Sequence, residues 1–372
     1  MSTARRHDID WLRVIAIGLL LIYHIAIIFQ PWAMFIGFIR SDELLEALWN
    51  PMTMLNVWRI PLLFFVSGMG FYFAIRKRNW HQLLLERTKR ILIPFLFGIV
   101  AITPLHMYVF QKNYNMPLGY FPHQGHLWFL LNIFIYVVLL MPLFLFLKKK
   151  GSGKFSKAWS LLMRHPLGPI SVSIFFVIEA LVIKPQFYAI YAETWHGFFL
   201  GFLAFAFGFL FVYSGKSFWN TVQKWRWLYL GLAIVLYGIR FFAFSTEAPG
   251  YLAAIESNCW IFALFGLGHR YLNRPSGILS YLSSAAYPVY IIHMFVLYLG
   301  ALLILPLEIP VILKFITITG FTFLVCFLLY EFVIRRIALL RPLFGLKWVR
   351  ENNKPKVPEI ESSQNYGVKT KL

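Results

Sequence analysis

Three side chains that could do chemistry lie in the first apolar segment, HDIDWLRVIAIGLLLIYHIAIIF (7–29). Arg13 and His24 are 11 residues apart, which at about 3.6 residues per turn is three turns plus roughly 20°, so both side chains point the same way. Asp10 lies about 40° off that line. The rise of ~1.5 Å per residue puts His24 near the middle of a ~30 Å hydrocarbon layer. An imidazole at that depth is a candidate general base, with a core histidine bonded to a neighbouring helix as the alternative.

A second polar group lies in a late apolar segment, YLSSAAYPVYIIHMFVLYLG. Tyr287, Tyr290 and His293 are spaced i, i+3 and i+6, so they form an inclined stripe on one side of a helix. The depth of His293 matches that of His24, and we expect the two histidines to share one polar cavity. The alternative role for the tyrosines is hydrogen bonding to neighbouring helices.

Arg87 and Arg90, in RTKRILIPF, are a basic pair at i and i+3 before the third apolar segment. Guanidinium forks suit phosphate oxygens, so the pair could hold a phosphorylated ligand. Setting the topology and contacting lipid headgroups is the other role that such residues serve. His126 and Trp128 begin the fourth segment, where an aromatic residue is commonly an interface anchor.

The composition is that of an integral membrane protein. Of the 372 residues 59% are hydrophobic and 13% are charged, against about 45–50% and 25% in soluble domains. The net charge of +20 suggests nucleic-acid binding, but the basic residues gather in particular loops, so we expect no nucleic-acid partner. The two cysteines, Cys259 and Cys326, lie in separate apolar segments, and we expect neither a disulfide framework nor a metal site.

We predict an all-α, polytopic transmembrane helix bundle of about ten spans in a domain of residues 1–350. The first segment is expected to be a retained span and not a signal peptide, since no small-residue cleavage site follows it. Residues 351–372 are polar and are expected to form a disordered tail. The spans lie at about 11–30, 55–75, 91–110, 126–147, 167–183, 195–213, 226–244, 251–272, 281–305 and 310–334.

The basic residues alternate with these spans. Of the 35 Lys and Arg, 29 are on the side of the N-terminus: Arg13 itself and the basic residues of the segments on that side. This bias predicts that both termini are cytoplasmic and that the protein lies in the inner (cytoplasmic) membrane. The six others are Arg40, Arg59, Lys112, Lys184, Arg240 and Lys314.

Taken together, these segments resemble the acyltransferase-3 family of membrane-bound acyltransferases. The Arg followed after ten residues by His is similar to the first-helix pattern of that family. Arg59 ahead of IPLLFF, with RPLFGL (341–346), resembles the branch that includes glucan biosynthesis enzymes. The other matching segments are FFVSG (64–68), the basic pair before IP (93–94), HLWFL (126–130) and YPVYIIH (287–293).

The resemblance implies transfer of an acyl group from a cytoplasmic acyl-CoA, as co-substrate with no bound cofactor, to a hydroxyl of an extracytoplasmic or membrane-associated glycan or glycolipid. For the glucan branch it implies succinylation. His24 would be the general base, Arg13 would contact the donor, and Asp10 would hold Arg13. The implied donor site is Arg87 with Arg90, and the acceptor or oxyanion candidates are Tyr287, Tyr290, His293, His126 and Trp128.

Direct transfer and an acyl-histidine intermediate both stay open. A polytopic transporter of a glycan or lipid-linked sugar would need a similar cavity but would consume no thioester. A sensor or scaffold would use the buried histidines for packing alone and would tolerate the loss of His24.

Overall fold

The computed structural model describes residues 5–151, 153–245 and 247–348, so the predicted tail at 351–372 lies outside the described residues. Within these ranges the chain is helical and has no strand, which confirms the all-α prediction. The helices are α1 (His7–Ile28), α2 (Trp49–Lys77), α3 (Trp80–Asn113), α4 (Trp128–Lys150), α5 (Lys154–Leu162), α6 (Leu167–Ile183), α7 (Trp195–Tyr213), α8 (Lys216–Lys224), α9 (Arg226–Phe244), α10 (Gly250–Tyr271), α11 (Gly277–Ile304), α12 (Val311–Ile334) and α13 (Leu340–Leu343).

Nine of the described helices are long and apolar enough to cross a membrane: α1 to α4, α7 and α9 to α12. A tenth crossing is counted if α5 and α6, which meet at 108°, form one bent span. The ten predicted spans therefore all fall on helices, and the one at 167–183 corresponds to α6 alone.

Two helices begin well before the predicted spans that they contain. The prediction placed their starts at 55 and 91, whereas α2 begins at Trp49 and α3 at Trp80. The start of α3 is polar and is fixed by Asn79, whose side chain accepts from the backbone N–H of Gln82 at 2.9 Å while the Gln82 side chain accepts from Asn79. Hydropathy cannot detect a helix start of this kind, because a capping box stabilises it without apolar residues.

The centre of the bundle is formed by α2 and α11, and α9 and α12 are the most exposed spans. The α2 and α7 backbones approach closely at two glycines. A Cβ on Gly68 would lie 2.0 Å from the carbonyl oxygen of Phe205, and one on Gly208 would lie 2.1 Å from that of Phe65. Small residues allow such an approach between membrane helices.

Helix α3 contains two π-helical stretches, Thr88–Leu92 and Gly98–Ile102. Each is followed by a proline, Pro94 or Pro104, which has no N–H to donate to the carbonyl four residues earlier, so the hydrogen-bond register shifts. The carbonyl of Val100, to which Pro104 cannot donate, accepts from the Tyr120 hydroxyl at 3.0 Å. The first stretch carries Arg90.

Candidate active site

The two intramembrane histidines meet. The Nδ1 atom of His24, on α1, lies 2.9 Å from Nε2 of His293, on α11, and the rings stack 6° from parallel with centroids 5.1 Å apart. His293 is completely buried, whereas His24 is partly exposed. The two histidines that matched depth predicted to share a polar cavity are therefore in direct contact with each other, and neither lines the large cavity described below.

Backbone geometry fixes the direction of this bond. Nδ1 of His293 lies 2.6 Å from the carbonyl oxygen of Tyr290. A carbonyl only accepts, so Nδ1 of His293 carries a proton, and in a neutral imidazole its Nε2 must then be the acceptor. His24 therefore donates from Nδ1 and keeps a free lone pair on Nε2. A neutral imidazole with one nitrogen donating and the other free can accept a proton, so the arrangement is chemically suited to general base catalysis.

A third imidazole, that of His126, borders the pair. Its ring lies edge-on to that of His293, with centroids 4.9 Å apart. Its Nε2 donates to the carbonyl of Ile291 at 3.1 Å, and its buried Nδ1 has no hydrogen-bond partner among the described residues. The Tyr290 hydroxyl donates to the carbonyl of His126. These two bonds tie the beginning of α4 to α11.

Sequence reasoning missed His106, on α3. This residue is 3% exposed, and its ring centroid lies 6.0 Å from that of His126 and 5.3 Å from that of His123.

Burial lowers the pKa of His123, which lies in the loop before α4, so its imidazole is neutral at pH 7. No group of three or more His, Cys, Asp or Glu in the described ranges could hold a metal ion.

A cavity of about 1490 Å³ opens at one end of the bundle. We call this end the basic face. Among the residues that the structure describes, two carboxylates line the cavity, those of Asp10 and Glu86. The basic lining residues are Arg5, Arg6, Arg13, Arg76, Lys77, Arg78, Arg87, Arg90, Arg335, Arg341 and Lys347. Such an excess of positive charge in a cleft attracts a polyanionic ligand.

The predicted basic residues differ in their freedom to bind a ligand. Arg13 pairs with Asp10 at 3.4 Å, as the i, i+3 spacing predicted, and Arg90 pairs with Glu86 at 3.3 Å. The buried Nε of Arg87 has no hydrogen-bond partner among the described residues. Of these three arginines, Arg87 therefore has a buried N–H that is available to an anion.

The floor of the cavity lies below the histidines. Ile17, Leu63, Tyr287 and Tyr290 line it, but His24, His293, His126 and Trp128 do not. His24 follows Ile17 by seven residues, which is about 10 Å of helix rise.

Tyr290 belongs to both parts, because it lines the cavity and its carbonyl accepts from His293. Trp128 instead lies buried against Phe64, with ring centroids 6.0 Å apart.

The chain matches the model of the family Acyl_transf_3, described as an acyltransferase domain, over residues 6–331. It is 26% identical to "Glucans biosynthesis protein C" of Escherichia coli and to the protein of the same name from Shigella dysenteriae. Each match covers 94% of this chain and 97% of the relative. No solved structure matches. The chain therefore belongs to the acyltransferase-3 family and is a multi-pass membrane acyltransferase.

Proposed function

We propose that the protein transfers an acyl group from an acyl-CoA, bound in the cavity at the basic face, to a hydroxyl of a glycan on the opposite side of the membrane. The proposal depends on one observation: Tyr290 connects the cavity with the pair of histidines. This residue lines a strongly positive cavity and also orients the His24–His293 pair. The basic face is then cytoplasmic, as the positive-inside rule predicts.

The donor side follows from charge. Coenzyme A carries its phosphates at one end and the thioester at the other, so the phosphates bind among the arginines of the basic face and the thioester points inward. Arg87 holds a phosphate through its free Nε, with Arg90 beside it. Arg13, held by Asp10, lies deeper in the cavity than the phosphate site. It contacts the donor arm, which is the part of acyl-CoA between the phosphates and the thioester.

The reaction follows from the tautomer of His24. Nε2 of His24 takes the proton of the acceptor hydroxyl. At the same time the hydroxyl oxygen attacks the carbonyl carbon of the thioester. The C–S bond then breaks, and the imidazolium returns the proton to the leaving sulfur, which gives an ester and free CoA thiol. General base catalysis of this kind contributes typically 10²–10⁴-fold.

The proposed reaction requires a structural rearrangement. The donor arm has to pass the ~10 Å between the level of Ile17 and that of His24, which the cavity does not cover. Tyr290, with its ring at the floor, is the side chain that has to move for the thioester to reach the histidines.

The acceptor is proposed to be a glucan. This rests on the name of the relatives, glucans biosynthesis protein C, and on the branch resemblance, which also suggests a succinyl group. The test uses the purified full chain in lipid nanodiscs with an acyl-CoA and glucan oligosaccharides. We expect release of free CoA thiol together with a glucan of increased mass. A transporter would consume no thioester, and that outcome would exclude the proposed reaction.

A further inference from the structure

Three neighbouring imidazoles carry buried nitrogens that have no hydrogen-bond partner among the described residues. These nitrogens are the Nδ1 atoms of His106, His123 and His126. The ring centroid of His106 lies 5.3 Å from that of His123 and 6.0 Å from that of His126. Buried polar atoms without a partner are rare in folded proteins, because an unmade hydrogen bond costs free energy. A bound polar ligand would complete all three.

The three rings lie between the histidine pair and the end of the bundle opposite the basic face. His126 is edge-on to His293, with ring centroids 4.9 Å apart. His106 follows Arg90 on α3 by 16 residues, which is about 24 Å of rise away from the basic face. His123 lies in the loop between α3 and α4 and is partly exposed. The three imidazoles therefore lead from the proposed base toward the side on which the proposed glycan arrives.

The tautomer of His126 determines what its free nitrogen can bind. Nε2 donates to the carbonyl oxygen of Ile291 at 3.1 Å, so in the neutral ring Nδ1 carries a lone pair and no proton. That lone pair repels the oxygens of a phosphate or carboxylate and accepts from an O–H or N–H group. The missing partner is therefore a hydrogen-bond donor, and a glycan offers several donors as hydroxyls.

We propose that His126, His106 and His123 bind hydroxyl groups of the acceptor glycan, and that His126 accepts from a hydroxyl of the sugar unit that is acylated. This inference rests on the proposed acyl transfer to a glycan. While Nε2 of His24 takes the proton of the reacting hydroxyl, a second hydroxyl of the same sugar donates to Nδ1 of His126. The sugar is then held at two points, so the reacting oxygen stays oriented toward the thioester.

The glycan enters by way of the loop between α3 and α4. The three Nδ1 atoms are shielded from solvent, so this loop has to move before a sugar can reach them. Side-chain hydrogen bonds of Thr103, Gln111 and Tyr120 hold the loop on α3. The bonds of Gln111 and Tyr120 are exposed, so water can replace them when the loop opens.

The experiment measures the KM for glucan oligosaccharides and the KM for acyl-CoA in nanodiscs, by release of CoA thiol. His126→Leu removes the accepting atom, whereas His126→Asn places an amide oxygen near the position of Nδ1, and both variants lose the bond to Ile291. We expect His126→Leu to raise the glucan KM about 5- to 10-fold, as the loss of one hydrogen bond predicts, and to change the donor KM less than about 2-fold. His126→Asn should recover most of the glucan affinity.

A second variant and a control extend the test. His106→Leu should raise the glucan KM in the same way, because it removes another of the three nitrogens. His81→Leu removes an exposed imidazole at the other end of α3 and should leave both KM values unchanged. A KM does not depend on the amount of folded enzyme, so a variant that folds only in part still reports on binding.

An unchanged glucan KM in both His126→Leu and His106→Leu would mean that the nitrogens bind water alone, and it would overturn the inference. A rise in both KM values that His126→Asn does not reverse would also overturn it, since His126 would then support the fold only. If His126→Leu does not fold, the glucan KM of His106→Leu decides. Wild type that releases no thiol with glucan would instead remove the proposed function.

Discussion

His24 and His293 share a hydrogen bond whose direction is set from outside the pair, because the Tyr290 carbonyl forces His293 to accept. Since His24 must donate from Nδ1 to His293, its Nε2 keeps a free lone pair. The pair joins α1 to α11 and lies just beyond the cavity in which the proposed donor binds. Substitutions of the two histidines should therefore have different effects.

Replacing His24 should abolish acylation without loss of the protein. We expect His24→Ala to lower the rate at least about 100-fold, since the proton acceptor is gone. Rate is measured as release of CoA thiol, and the amount of protein in the membrane by quantitative blotting. A variant that still acylates at the wild-type rate would show that His24 is not the base.

Replacing His293 should reduce kcat by an amount that depends on whether the new side chain can still accept the hydrogen bond from His24. His293→Ala leaves Nδ1 of His24 without its partner, so its ring is free to turn, and we expect kcat to fall about 10-fold or more with little change in KM. His293→Gln places an amide oxygen near the position of Nε2 and should retain more activity than His293→Ala. Equal kcat values for the two variants would contradict the positioning role.

Arg87→Ala should raise the KM for the acyl-CoA donor and leave the KM for the acceptor unchanged. The reason is the unpartnered Nε of Arg87 inside the cavity. We expect an increase of about 10-fold, corresponding to one charge-assisted hydrogen bond. The matched control is Arg164→Ala, which removes the same charge from an exposed residue that does not line the cavity.

If Arg164→Ala raises the donor KM as much as Arg87→Ala does, general surface charge attracts the donor and Arg87 has no special role. The same pair of variants should be measured at two salt concentrations. A bound phosphate at a partly buried arginine is screened less by salt than one at the exposed surface.

The fold and half of the site follow from local patterns in the sequence. Apolar length predicted the helices that could cross a membrane, and matched depth predicted that His24 and His293 lie in one polar region, where the structure brings them into contact outside the large cavity. His106 was missed because it carries no periodic partner, and its place beside His126 depends on how α3 packs against α4. Within the described residues the buried Arg59 contacts neutral groups and no acidic side chain, and this is also a tertiary property. No count of residues along α2 reveals which carboxylates the folded chain brings near.

The close approach of α2 and α7 gives a prediction about stability. Gly68→Ala would place a Cβ 2.0 Å from the backbone oxygen of Phe205, so the helices would have to separate.

Because α2 lines the cavity, we expect a lower temperature of thermal unfolding and a lower kcat for acyl transfer. The control is Gly231→Ala on α9, where nothing lies within 4 Å of the added Cβ. Gly231→Ala should leave unfolding temperature and activity unchanged. Equal stability of the two variants would mean that the α2 and α7 backbones are not in contact at Gly68.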